Sequence, residues 1–194
     1  MDVAQQIETL EFLASRRRSC RAFEPTPVAR ETILRILGVA QKAASWCNSQ
    51  PWQTIITSGD ETVRFREAMR KVATSDAPQR GDFAFPREYR GVYAERPLHV
   101  AVVTTDEALG VYGAVDCGAY VANFLLAAEA SEIAAVPQAS LAFYSDVVRE
   151  HFGLGSDRKV LCGISLGIAN TDHPANSFRT SRAELAEVVS FVGD

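Results

Sequence analysis

The stretch from Gly110 to Ser131 is the longest segment that reads as one helix, and nearly every face of it is apolar. Such a helix has no polar side to turn to water. It belongs at the centre of a core or in a contact between subunits. The rest of the chain has to pack around it. It is not a membrane span, because Asp116, Asn123 and Glu129 interrupt the apolar run from Val111 to Ile133.

Shorter elements flank this helix. Val3 to Arg16 reads as an amphipathic helix with Val3, Ile7, Leu10 and Leu13 on one stripe. Phe23-Glu24-Pro25-Thr26-Pro27 ends it, and a second amphipathic helix runs from near Val28 to near Ala44 on Ile33, Leu34 and Leu37. Trp52 to Ser58 is rich in β-formers, and Gly59-Asp60 opens a helix over Glu61 to Thr74. Ser75 to Glu95 has no period and reads as a long loop. Leu98 to Thr104 and Lys159 to Ala169 are continuous apolar strands, with a short strand at Glu132 to Val136. Ser145 to Phe152 is a helix with Ser145 as N-cap, and Gly153-Leu154-Gly155 is its C-cap turn. Ala186 to Val192 is a last apolar run. Helices dominate, with a few buried strands between them, which is an α+β pattern.

At 194 residues and 47% hydrophobic content the chain is one domain or a tightly joined pair, and it needs no staples to form a core. Its formal net charge of -4 argues against general nucleic-acid binding. Cys20, Cys47, Cys117 and Cys162 are far apart and read as free buried thiols, not as a disulfide framework or metal ligands. The polar start, Met1 to Gln6, has no apolar signal region, so the expected location is the cytoplasm.

Against that acidic background stands Arg16-Arg17-Arg18-Ser19-Cys20-Arg21-Ala22-Phe23. Guanidinium forks match phosphate oxygens two at a time, and a serine hydroxyl adds a neutral donor. The same run would also serve as the basic last turn of a helix. No P-loop and no GxGxxG is present. His99 reads as a core or edge residue of its strand, and His151 and His173 as surface positions. None has an acid and a nucleophile at triad spacing, and no metal set is apparent. An enzyme whose cofactor carries the chemistry needs no such side chains, only binding and electronic tuning.

Asn48-Ser49-Gln50-Pro51-Trp52 adds primary amides that both donate and accept, at a place where a helix-to-strand turn would use the same residues. Together with Arg17 to Phe23 it resembles the paired signature of the nitroreductase family of FMN-dependent oxidoreductases. The resemblance continues through Asp116 to Ala128, Pro137-Gln138-Ala139-Ser140, Leu161 to Gly167 and Asn176-Ser177-Phe178-Arg179-Thr180-Ser181-Arg182. It covers most of the chain, and the order and spacing of the pieces carry more than any one of them.

The resemblance implies a nitroreductase-like fold over residues 1–194. That means a central mixed or antiparallel sheet flanked by helices, in an intertwined homodimer with a crossover segment at 176–194. It implies FMN, reduced by NADH or NADPH, which then reduces a nitroaromatic, a quinone or a similar small aromatic acceptor by a ping-pong route. No side chain is catalytic in this reading. Arg17, Arg18, Ser19, Arg21 and Arg182 would hold the phosphate and ribityl chain. Asn48 and Gln50 would reach the flavin of the partner subunit. Pro137 to Ser140 would lie over the ring face near the redox nitrogen, with the backbone N–H of Gln138, Ala139 or Ser140 as donor and the first two favoured, since Pro137 has none. Two departures stand out. The region near 75–97 is shorter than the flavin-covering segment of many members, and it offers Phe83, Phe85 and Tyr89 (with Tyr93) as substrate-facing aromatics. Thr180 stands where some relatives carry a basic residue, with Arg179 beside it. Two other readings stay open: a flavin-holding module without turnover, and a phosphate-ligand module without a redox role.

Overall fold

The computed structural model describes residues 2–75, 78, 80–83 and 97–193. Its centre is one sheet of four strands: β1 (Gln53–Ile56), β2 (His99–Asp106), β3 (Ala134–Gln138) and β4 (Arg158–Gly167). They lie in the order β1-β2-β4-β3, and every neighbouring pair is antiparallel. Of the two expected sheet types the antiparallel one is observed. Among the described residues, parallel pairing is confined to a single bridge, Ser19 beside Ala135.

The continuous apolar run of β2 is explained by helices on both faces of the sheet. Ala101 and Val103 face Ile36, Tyr120 and Phe124, which come from α2 (Arg30–Ala40) and α4 (Gly110–Ala130). Val100 and Val102 face Phe65, Met69 and Val148, which come from α3 (Asp60–Ala73) and α5 (Ser145–Phe152). A bulge between Val103 and Thr104 turns the alternation of β4 over. Val160 therefore faces the α3 side, while Ile164 and Leu166 face α4.

The helix α4 is buried through Cys117, Tyr120, Phe124 and Ala128, but Val111, Tyr112 and Val115 stay more than half exposed. One chain covers only one face of it. The first helix, α1 (Val3–Arg16), has a complete capping box between Asp2 and Gln5 and yet buries no residue. Its apolar stripe lies open, with Val3 81%, Ile7 52% and Leu10 49% exposed. An ion pair of 3.0 Å from Arg16 to Glu129 ties it to α4. The end of the chain repeats the pattern. After a four-residue turn, α6 (Leu185–Val188), both Phe191 and Val192 stand in solvent.

Several local expectations are revised. Ser145 is the first residue of α5, not its cap. Its hydroxyl donates to Ala142 O at 2.8 Å and accepts from Asp82 N at 3.2 Å, so it ties an incoming segment instead. The second helix is shorter than its pattern because Lys42 N and Ala43 N close back on Val39 O and Ala40 O as turns. Gly153 does end α5 in the left-handed conformation, φ 63°, with Leu154 N on Arg149 O.

His99 is a core residue. Its Nδ1–H donates to Thr57 O at 3.1 Å, and Nε2 accepts from Val28 N at 3.2 Å. His151 is not a surface residue. The packing of α5 on α3 wedges its ring against Phe65 and Phe152, with Nε2 2.6 Å from Glu61 Oε1. His173 is half-buried and caps a turn, with Nδ1 accepting from Ala175 N at 3.2 Å. Cys47, expected to be buried, is exposed.

Candidate functional site

The basic segment leaves α1 and runs along the β3 edge of the sheet. Cys20 N donates to Ala135 O at 3.2 Å, Glu24 N to Ile168 O, and Asn170 N returns to Ala22 O. Backbone pairing thus fixes Ser19 to Phe23 and leaves the long cations free to point outward. Asn176, 3% exposed, locks the other end of the chain to it. Its Oδ1 accepts from Arg21 N at 2.7 Å and Ala22 N at 3.3 Å, while Nδ2 donates to Ala22 O and Asn170 O.

The result is a concave cradle of about 250 Å³ lined by Arg17, Arg18, Ser19, Arg21, Arg179 and Arg182, among others. Residues from both ends of the sequence meet there. Among the described residues, no carboxylate pairs with Arg17, Arg18, Arg21 or Arg182. Like charges held this close repel unless an anion joins them. The donor set of guanidinium forks with one hydroxyl fits a phosphate dianion. Arg182 keeps its fork in place through Nη1 donating to Thr180 Oγ1 at 2.9 Å and Ser181 O at 3.0 Å. Cys20, in the segment that lines the cradle, is a neutral thiol. Burial pushes its pKa up, and Arg18 and Arg21 only partly oppose that.

Three residues along the same edge, Pro137, Gln138 and Ala139, follow Ala135, which pairs with Ser19. Gln138 is buried, and its Oε1 accepts from the Ser165 hydroxyl at 2.6 Å. Phe83 is half-buried on the chain that enters through Asp82. Asp82 is anchored by Arg149 Nη1 at 2.6 Å and by Val160 N at 2.8 Å. A Cβ at Gly81 would lie 2.7 Å from Ala142 O, so only glycine allows that close approach. Phe85, Tyr89 and Tyr93 lie outside the described residues.

Asn48 and Gln50 are not part of this edge. They sit in a turn before β1, the strand at the other side of the sheet. Ser19 lies beside Ala135, which is level with Leu166 and His99, whereas Gln53 is level with Thr104. The two groups therefore occupy diagonal corners, about 19 Å apart across the strands and about 17 Å along them by standard sheet spacings. Within one chain the two groups do not meet.

The turn itself is strained. Cys47, Asn48 and Gln50 all have positive φ, at 49°, 55° and 46°. For residues other than Gly and Asn this costs about 1 kcal/mol or more each. Trp46 N donates to Asp116 Oδ2 at 3.0 Å, and Gln50 N to Ser45 Oγ at 3.0 Å. Arg158 Nη2 donates to Pro51 O at 3.1 Å. The side chains of Asn48 and Gln50 remain exposed.

A larger groove, about 580 Å³, lies between α3 and α5 and is lined by Lys71, Val72, Glu150 and His151. Its charges are mixed and His151 is already engaged with Glu61, so it offers no cradle for an anion.

Comparison with known proteins decides the family. The model of the "Nitroreductase family" matches residues 14–168. The chain belongs to the nitroreductase family. It is similar to nitroreductase NfnB of Mycolicibacterium smegmatis, with 35% identity over 98% of this chain and 94% of the relative. It is also similar to the 4-nitrobenzoate reductase of a Nocardioides species, with 26% identity over 97% of this chain and 92% of that one. Among solved structures, the FMN-dependent nitroreductase NfnB from Mycobacterium smegmatis in complex with NADPH superposes with a TM-score of 0.87 at 29% identity, over 96% of this chain and 99% of that one.

Within this nitroreductase fold, sequence reasoning missed Asp116 and Arg158, which fasten the amide turn, and took Asn176 only as part of a motif. The signal for Asp116 was present. A carboxylate inside an apolar helix has to find a donor.

Proposed function

We propose that this chain is an FMN-dependent oxidoreductase that draws hydride from NADPH or NADH and delivers it to a nitroaromatic, a quinone or a similar small electron-poor aromatic. The observation that carries the reading is the cradle: cations from Arg17 to Arg21 and from Arg182 share one cavity, without carboxylate partners among the described residues. FMN, when bound, supplies the two-electron redox chemistry. The chain supplies the rest. Arg17, Arg18, Ser19, Arg21 and Arg182 hold the phosphate. Pro137, with the backbone N–H of Gln138 or Ala139, faces the ring. Asn48 and Gln50 of a second copy offer amide donors and acceptors to the ring edge. Phe83, Phe85 and Tyr89 line the slot that donor and acceptor use in turn, which gives ping-pong kinetics.

The second copy is a homodimer partner. Exposed apolar residues on α1, on α4 and on the tail offer surface for a partner to cover, and in this reading the cradle and the amide turn of one chain need those of another. The tail after Asn176 would cross to the other subunit. The segment at 75–97 would be a shortened cover. The alignment with the Mycolicibacterium relative runs over 228 positions against 194 residues here, so that relative carries additional segments. The cytoplasm, which holds the nicotinamide pool, is the proposed location.

The test is purification followed by spectroscopy and sedimentation. Expected are a yellow dimer and bleaching of the flavin band when NADPH or NADH is added without oxygen. A colourless protein that FMN does not titrate overturns the reading. Bound flavin that no nicotinamide bleaches would favour a flavin-holding module instead.

A further inference from the structure

We infer that Asp116 is a positioning residue for the flavin-facing amides, reaching across from α4 to hold the turn from Trp46 to Gln50 in its strained shape before any ligand arrives. The inference rests on the reading above that Asn48 and Gln50 touch the flavin of a second copy.

Three observations meet here. The first is the strain. Cys47, Asn48 and Gln50 take positive φ within four residues, and none of them is glycine. Strain of this kind persists only where the surroundings over-determine it. The second is the fastening. Asp116 is 8% exposed, although it is a carboxylate on a largely apolar helix. It accepts from Trp46 N at 3.0 Å, with the Ser49 hydroxyl at the longer distance of 3.5 Å. Trp46 is the first residue of the short 3-10 turn Trp46–Asn48, whose cap residue Ser45 makes no capping bond of its own. The Ser45 hydroxyl accepts from Gln50 N instead. Asp116 thus caps the turn from another element.

The third is what stays free. Among the described residues, the amide groups of Asn48 and Gln50 are exposed, and Gln50 Nε2 reaches Asn48 O at 3.5 Å. The backbone is tied down while the two primary amides are presented outward. A turn that only joined α2 to β1 would not require three left-handed residues or a buried carboxylate. Pre-organisation of this kind lowers the ordering cost of binding.

The experiment uses the full chain, as isolated and after removal of flavin, with Asp116→Ala and Asp116→Asn. FMN affinity, the absorbance band of bound FMN, and hydrogen–deuterium exchange over Trp46 to Gln50 are measured alongside the melting temperature. The expected result for Asp116→Ala is FMN binding weakened about tenfold or more, a shifted flavin band, and loss of exchange protection in the flavin-free turn. Asp116→Asn keeps an acceptor for Trp46 N, so it restores most of the affinity and the wild-type band. Should Asp116→Ala fold poorly, Ser45→Ala loosens the same turn from its exposed side and is expected to weaken FMN several-fold. Wild-type affinity and band in a folded Asp116→Ala or Ser45→Ala protein overturn the proposal alone. A wild-type chain that takes up no FMN overturns the reading beneath it.

Discussion

The cradle and the amide turn are the two halves of the candidate site, and they are built in opposite ways. In the cradle the backbone is relaxed and paired, from Cys20 N on Ala135 O to Asn170 N on Ala22 O, and the chemistry lies in long cations hung from it. In the turn the backbone is strained at Cys47, Asn48 and Gln50, and the chemistry lies in short amides that the strain aims. A phosphate tolerates flexible forks because charge acts over several ångströms. A ring edge with alternating donors and acceptors does not tolerate them, because neutral hydrogen bonds demand position. The difference predicts that the cradle breaks through its anchor and the turn through its geometry.

The largest effect is expected at Asn176. In Asn176→Leu, Arg21 N and Ala22 N lose their acceptor and Ala22 O loses a donor, all beside a buried side chain. Buried unpaired groups cost about 1–3 kcal/mol each and do not add fully, so about 3 kcal/mol of stability should go. FMN binding should fall with it. Urea unfolding of the flavin-free protein measures the first part, and a loss below about 1 kcal/mol would mean the two chain ends hold together without it.

Arg182→Ala should separate function from stability. The residue is exposed and, among the described residues, bonds to Thr180 and Ser181 beside it. Losing one charged fork to phosphate should weaken FMN by about tenfold to a hundredfold, about 1.5–3 kcal/mol. Unfolding in the absence of flavin should shift by no more than about 0.5 kcal/mol. Unchanged flavin affinity would remove Arg182 from the site.

The same contrast explains what the sequence made legible. Charge can be read letter by letter, so Arg17 to Arg21 stood out as a candidate anion site, although the same run also reads as the basic last turn of a helix. Period can also be read, and the runs at Val3 to Arg16, Leu98 to Thr104 and Gly110 to Ser131 lie close to the observed α1, β2 and α4. Conformation at single residues cannot be read so directly. Nothing in Cys47 or Gln50 signals φ above zero, and only the resemblance drew attention to Asn48 and Gln50. Long-range partners are equally hidden. The bond of Trp46 N to Asp116 spans 70 positions and that of Arg21 N to Asn176 spans 155. His151 was misread as a surface residue for this reason, since its partners Glu61 and Phe65 come from α3.

The cysteines give a chemical probe of both halves. Cys20 lies in the segment that lines the cradle and Cys117 on the buried face of α4, and burial pushes the Cys117 pKa up to about 11. At pH 8 roughly a thousandth of Cys117 is thiolate, so alkylation should spare it. Cys47 is exposed in the turn and should react with iodoacetamide in the flavin-free protein. Saturating FMN should slow that reaction several-fold, because the turn then lies against a ring. Mass spectrometry of the labelled peptides reads the outcome. Equal labelling with and without FMN would place the turn away from the ligand.

The smallest effect carries the sharpest sign. Cys47 has φ 49° and an exposed side chain. Cys47→Gly removes the steric penalty of the left-handed region, partly offset by the freedom glycine gains in the unfolded chain. The flavin-free protein should gain about 0.5 kcal/mol, a net that follows from a penalty of about 1 kcal/mol less that entropy. The parallel change in the cradle, Ala22→Gly, meets a buried residue in a paired and relaxed segment. It gains nothing from relief and should lose about 1 kcal/mol through entropy and a missing methyl. Opposite signs from the same type of substitution, read by thermal or urea unfolding, would establish that strain sits in one half of the site and not the other. Two losses would mean that the turn at Cys47 is held without strain, and the comparison between the halves would fail.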